Sequence, residues 1–203
     1  MPFYSPNIHK LIEEFSKFPG IGKKTAERFI FYLINKNEAS LREIAELIEK
    51  IKNEVNVCPI CFNISSQKQC SVCSNKEKSP GVICVIEKPQ DLQVIENTGE
   101  YQGVYHVLGG KIDTLEPENS SNLKIEELVT RIKNQNPKIH EIIFGLSSDI
   151  NGESTIIYLT NIIKQINPKI KISRLAQGLP TGGDIEYADQ ITIINALKNR
   201  KKV

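Results

Sequence analysis

Two C-x-x-C pairs, Cys58/Cys61 and Cys70/Cys73, stand eight residues apart in the stretch CPICFNISSQKQCSVC. A C-x-x-C turn aims two sulfurs at one point, and two such turns supply the four ligands of a tetrahedral zinc ion. The chain between them is too short to build a core of its own, so metal binding is coupled to local folding. With all four positions taken by protein, no place remains for a reactive water. The spacing therefore predicts one structural Zn²⁺ and not a catalytic one. Two disulfides or four ordinary core thiols are the competing readings, and a chain without secretory features disfavours them. The fifth cysteine, Cys84, lies in the apolar run VICVI and reads as a small buried hydrophobe.

The length of 203 residues allows one or two domains with modest cores. Hydrophobic residues make up 39% and charged residues 25%, a globular balance. No stretch is long and apolar enough for a membrane span and no signal peptide opens the chain, so a cytoplasmic protein without a membrane partner is expected. A net charge of +2 excludes a uniformly basic nucleic-acid binder. Any such binding has to come from local placement of charge.

The first 57 residues read as helical. Leu11, Ile12, Phe15 and Phe18 recur at helical spacing, then Pro19-Gly20-Ile21-Gly22 breaks the pattern, and a second helix runs from Lys23 to about Asn35. A third opens near Ala39-Ser40, with Ser40 as its cap, Glu43 completing a capping box, and Leu41, Ile44, Ala45, Leu47, Ile48 and Ile51 on its apolar face. FPGIGKKTAERF resembles a helix-hairpin-helix. Glycines let backbone N–H groups approach an anion, and the hairpin leads into a helix N-terminus, where the dipole favours negative charge. Lys23, Lys24 and Arg28 add positive charge, and Lys24 and Arg28 share a face. Such a contact reads phosphate, so DNA binding is expected to be sequence-independent and salt-sensitive. A plain packing corner with solvated lysines is the alternative.

After Ser79-Pro80-Gly81 the texture changes. Short apolar runs at Val82–Ile86, Val104–Leu108, Glu141–Leu146 and Ile170–Ala176 alternate with helical stretches at Gln90–Glu96, Ile125–Lys133 and Glu153–Ile166. This alternation predicts a parallel α/β sheet covered on both faces. Sites in such sheets form at the carboxyl ends of strands. Glu87 and Asp91 follow the first strand, and Ser147-Ser148-Asp149-Ile150-Asn151-Gly152-Glu153 follows the third, so their acids can meet at one edge, where a Mg²⁺ could bind.

A strand ending in Glu and a later strand ending in an acidic loop look like a Toprim domain. Catalytic Toprim enzymes carry Asp-x-Asp after the third strand, and LSSDINGE has none. Nor does the chain contain G-x-x-x-x-G-K-[ST], and in GGDIEYAD the acids follow glycines instead of ending a strand, so nucleotide hydrolysis is not expected. The order of helix-hairpin-helix, four-cysteine module, Toprim domain and a C-terminal G-G-x-x-E-Y-A-D segment is similar to the RecR family over essentially the whole chain. FPGIGKKTAERF, TGEYQGVYHVLGGKIDTLEP and RLAQGLPTGGDIEYADQIT carry the likeness. The chain departs from the family at Lys88, where Asp is common, and at Ser147-Ser148, where Asn-Pro is common.

The resemblance implies an α/β multi-part chain. Residues 1–56 form a helical helix-hairpin-helix region, 57–78 a small four-cysteine zinc module, 79–176 a Toprim-type parallel sheet, and 177–203 a C-terminal segment and tail that contact another subunit. It further implies a ring-shaped tetramer that encircles DNA without catalysis and works with RecO and RecF to load RecA at single-stranded gaps. Lys24 and Arg28, with Lys23 beside them, correspond to the DNA contacts. Glu87, Asp91 and Glu153 face a partner protein or a weakly held cation such as Mg²⁺. A Mg-dependent Toprim enzyme and a pure protein adaptor are the alternatives. His9, His106 and His140 are isolated, and His106 reads as a structural hydrogen-bonding residue.

Overall fold

The N-terminal helices follow the apolar spacing of the sequence. A computed structural model describes residues 4–116, 120–134 and 138–202. Residues 1–3 of the helical region, Pro117 at the end of the second quoted stretch, and Val203 of the tail lie outside it. Helix α1 spans Pro6–Ser16, with proline where no N–H is needed, and α2 spans Lys23–Ile34. They pack through Ile12, Ala26 and Ile30, with Ile8, Phe15, Ile21 and Leu33 around them.

Helix α3, Glu38–Glu54, starts earlier than expected. Its cap is Asn37, whose side chain accepts a hydrogen bond from the Ser40 N–H at 2.9 Å. Ser40 is thereby drawn into the first turn and is not the cap. An asparagine two residues before Ala39 offers a good acceptor, and nothing in Glu38-Ala39 resists the helix. The apolar stripe of α3 stays exposed: Leu47, Ile48 and Ile51 are each close to 60% accessible (58%, 61% and 59%). This compact unit ends at Val55, and a second begins at Asn56.

In the second unit a small antiparallel pair, β1 (Asn56–Val57) and β2 (Ile64–Ser65), brackets the first C-x-x-C turn. A single-turn helix, α4 (Ser71–Ser74), carries the last cysteine. Then come β3 (Ser79–Ile86), α5 (Pro89–Glu96), β4 (Gly103–Val107), α6 (Ile125–Asn134), β5 (Glu141–Gly145), α7 (Ile150–Ile166) and β6 (Lys171–Arg174). The four strands β3 to β6 form one all-parallel sheet in the order β4-β3-β5-β6, with Ile83 beside both Val104 and Ile142. This is the parallel α/β arrangement that the alternating sequence predicts.

Side chains of β3 alternate between two clusters, as the strand period demands. Ile83 and Val85 join Leu128 and Ile132 of α6 and Leu159 and Ile163 of α7. Cys84 and Ile86 join Leu92 of α5, Tyr105 and Val107 of β4, and three of the four paired cysteines. The cysteine segment thus helps α5 cover the second face. Each fully buried aliphatic side chain contributes about 1.5–3 kcal/mol to this unit.

Helix α7 begins one turn before Glu153. Asp149 caps it, accepting from the Gly152 N–H at 2.8 Å. Gly152 is needed there, since a Cβ would fall 1.9 Å from the Ser147 carbonyl oxygen. Strand β6 stops at Arg174, short of the expected Ala176. A turn at Gly182, with φ +79°, leads to a short 3-10 turn at Ile185–Tyr187 and to α8 (Gln190–Lys198). Asp189 caps α8, which buries no residue. No helix of the described residues is long and apolar enough to cross a membrane.

Candidate metal centre and nucleic-acid interface

The first cysteine turn is closed by backbone hydrogen bonds from Cys58 N to Asn63 O (2.8 Å) and from Phe62 N to Cys58 O (2.9 Å). Phe62 takes φ +63°, the left-handed bend that lets the chain fold back beneath Cys61. The second turn is held by Ser74 N to Cys70 O (3.0 Å) and by the Gln69 side-chain amide on Cys73 O (2.7 Å). All four sulfurs lie within 4.8 Å of one another, and those of Cys61 and Cys70 are 3.4 Å apart. A tetrahedron with metal–sulfur bonds of about 2.3 Å has edges of about 3.8 Å, so the four fit a single ion. No cysteine is in a disulfide. Among the described residues these four are the one group of His, Cys, Asp or Glu placed to hold a metal ion.

Three contacts fasten this module to the sheet. The Val107 N–H of β4 donates to the Cys61 carbonyl at 2.8 Å. The Phe62 ring packs edge-on against His106 at 5.3 Å. Arg131 of α6 donates to the carbonyls of Tyr105 (2.6 Å) and Ile60 (3.4 Å). His106 is fully buried, and burial pulls its imidazole down to about 4, so it is neutral. Its Nε2 lies 2.7 Å from the Lys124 carbonyl, which only accepts, so Nε2 carries the proton. This is the structural role its sequence setting suggested. Cys84 is buried, and burial pushes its thiol up to about 12, as befits an inert core residue.

At the carboxyl end of the sheet the acids come near one another, but each is engaged. Glu87 is 6% exposed. One of its oxygens accepts from Ser147 N and the other lies 3.6 Å from Lys111 Nζ. The same ammonium hydrogen-bonds Asp149, whose carboxyl it holds below the usual carboxylate range. Asp91 accepts from Lys88 N (2.9 Å) and caps α5. Glu153 makes a forked pair with Arg174, its two oxygens 2.5 and 2.9 Å from the guanidinium nitrogens. Tyr101 and Tyr105 pack against each other at 5.0 Å.

The hairpin between α1 and α2 turns at Gly20, where φ is +77°. A Cβ at Gly20 or Gly22 would meet nothing within 4 Å, so the approach to the start of α2 is open. Helix α2 has no side-chain cap and no acid in its first turn. Lys23 and Lys24 in the first turn of α2 and Arg28 in the second are exposed, and none forms an ion pair with a described residue. An N-terminus left uncapped and flanked by cations is arranged to receive an anion.

Sequence reasoning passed over Lys111, Arg131 and Arg174. Lys111 follows Gly109-Gly110 in the loop after β4, a position where a side chain reaches the strand ends. Arg131 lies three residues after the buried Leu128 and beside the buried Ile132. A basic residue on the apolar stripe of a helix is the signal that could have found it.

A helical hairpin with an uncapped helix start, a four-cysteine centre and a parallel sheet with acids at its carboxyl edge together fit a Toprim protein of nucleic-acid metabolism. Three family models match in sequence order: "RecR, helix-hairpin-helix" over residues 8–52, "Toprim domain" over 81–176 and "RecR, C-terminal" over 178–201. The chain belongs to the RecR family. Membership supports DNA binding and a role in recombinational DNA repair.

Proposed function

We propose that the chain is a non-catalytic DNA clamp of the cytoplasm, acting with RecO and RecF to load RecA at single-stranded gaps. The observation that carries this reading is the start of α2, an open and uncapped helix N-terminus flanked by Lys23, Lys24 and Arg28. It suits a phosphate and offers no group to read a base, so the contact is sequence-independent. Ring closure from identical subunits needs association surfaces at more than one place on the chain. Exposed apolar side chains are present in each unit: Leu47, Ile48 and Ile51 of α3 in one, Tyr187, Ile191 and Leu197 near the C-terminus in the other. In this reading both are contacts of a tetramer, with residues 177–203 forming one of them. One structural Zn²⁺ on Cys58, Cys61, Cys70 and Cys73 stiffens the segment that opens the second unit.

The engaged acids favour a non-enzymatic role over the Mg-dependent alternative. Glu87 and Asp149 share Lys111, and Glu153 is matched by Arg174. Bringing a divalent cation there means breaking pairs already formed. In this reading Glu87, Asp91 and Glu153 serve a partner protein. The test is DNA affinity across a salt series, with particle mass measured on the same samples. Lys24→Glu/Arg28→Glu is expected to weaken binding at least about tenfold and to flatten the slope of log K against log salt by roughly 2. Unchanged affinity and slope would remove the hairpin from the DNA interface.

A further inference from the structure

A divalent ion held by four thiolates carries a net double negative charge, and in this fold it sits against the sheet, not out in water. Cys58, Cys61 and Cys70 are buried in the cluster that contains Tyr105 and Val107 of β4. Desolvated charge of that size is costly unless a positive group lies nearby. One does. Arg131 projects from α6 toward the module, and one guanidinium nitrogen reaches two carbonyls at once: Tyr105 of β4 at 2.6 Å and Ile60 at 3.4 Å. Ile60 lies between the ligands Cys58 and Cys61, so the second contact falls inside the metal-binding turn. Arg131 also lines, with Cys73, Pro59 and Phe62, a groove of about 770 Å³ between the module and α6.

We propose that Arg131 is the counter-charge of the metal centre, a positioning residue that offsets the negative charge of four metal-bound thiolates and steadies the Cys58–Cys61 turn through the Ile60 carbonyl. The inference rests on the zinc reading given above. The field at the guanidinium agrees in sign: burial lowers its pKa, and the sulfurs of Cys73, Cys61 and Cys58 act against that fall. Arginine suits the place because it keeps its charge in a partly desolvated setting. The neighbouring charges do not duplicate it. Lys124 lies over the Phe62 ring at 5.6 Å but is matched by Glu127 at 3.1 Å, Glu126 lines the same groove with the opposite sign, and His106 against Phe62 is neutral. Groups just outside a metal's ligands commonly change its affinity by about 10–100-fold when removed.

The experiment uses the full chain. Elemental analysis of wild-type protein purified without chelator comes first, and one zinc per chain is expected. Zinc affinity and the pH of half-release are then measured by competition with a chromophoric chelator for wild type, Arg131→Gln and Arg131→Lys. Glutamine keeps a donor for the carbonyls and removes the charge, while lysine keeps the charge and loses the fork. Arg131→Gln should hold zinc about 10–100-fold more weakly and release it at higher pH, since protons compete better for thiolates without a nearby cation. Arg131→Lys should stay within about threefold of wild type. Wild-type affinity and release pH in Arg131→Gln would overturn the proposal. So would equal losses in both variants, which would make hydrogen-bond geometry the cause. Wild-type protein without zinc would overturn the zinc reading, and this inference with it, at the first step.

Discussion

Two clusters of ionisable groups in the second unit look alike in sequence and differ in physics. The cysteines converge on one point, with sulfurs no more than 4.8 Å apart, while Arg131 reaches their turn from outside, at the Ile60 carbonyl. The acids at the carboxyl end of the sheet gather in one region too, yet Lys111 lies between Glu87 and Asp149, Arg174 grips Glu153, and Asp91 is turned back onto its own helix start. Four like groups aimed at one point are stable only when something positive joins them. Acids that have already found ammonium, guanidinium and backbone N–H groups have little left to offer an ion. Convergence on one point separates a metal centre from a surface whose charges are already paired one by one.

The comparison is broken most severely at the cysteines. Cys58→Ser should take zinc from one per chain to none and cost more than about 4 kcal/mol in urea unfolding, because metal and second sheet face are lost together. Cys84→Ala, in the same cluster, should keep its metal and cost only about 1–2 kcal/mol. If both variants kept zinc, the four-sulfur assignment would fail.

At the acidic edge the matching change is Lys111→Met. It strands the nearly buried Glu87 and should cost about 1–3 kcal/mol. It should also change the response to acid. Lys111 depresses the folded-state pKa of Asp149 below its ordinary 3.8, so the stabilisation it brings is present above that value and is lost as the pH falls through the lower folded value. Denaturation followed from neutral pH down into this range should therefore be flatter in Lys111→Met than in wild type. The smallest effect belongs to Arg174→Ala. That pair is roughly 40% exposed (35% and 43%), and its loss should cost about 0.5 kcal/mol in dilute buffer and nothing measurable in concentrated salt.

Much of this was readable in the chain because it depends on neighbours in sequence. The alternation of β and α stretches gave the parallel sheet, C-x-x-C spacing gave the convergence of sulfurs, and P-G-I-G gave the open hairpin. What was missed depends on distance along the chain. Lys111 finds Asp149 across 38 residues and Arg131 finds Ile60 across 71, and no local pattern connects them. The misplaced helix starts have a different cause. Asn37 and Asp149 are residues that fit loops and caps equally well, and nothing local shows that the close Ser147 carbonyl requires a glycine at 152.

On the zinc reading, the hydrogen bond from Val107 to Cys61 ties the solubility of the chain to the supply of zinc. Strand β4 is one of the two edge strands of the sheet, and a bare edge is a template on which other chains can polymerise. Here the Cys61 carbonyl takes up the Val107 N–H and Arg131 takes up the Tyr105 carbonyl. On the zinc reading, a chain made during zinc starvation would lose that guard. Its failure would then appear as insoluble protein, and adding zinc during synthesis would rescue what adding it afterwards could not.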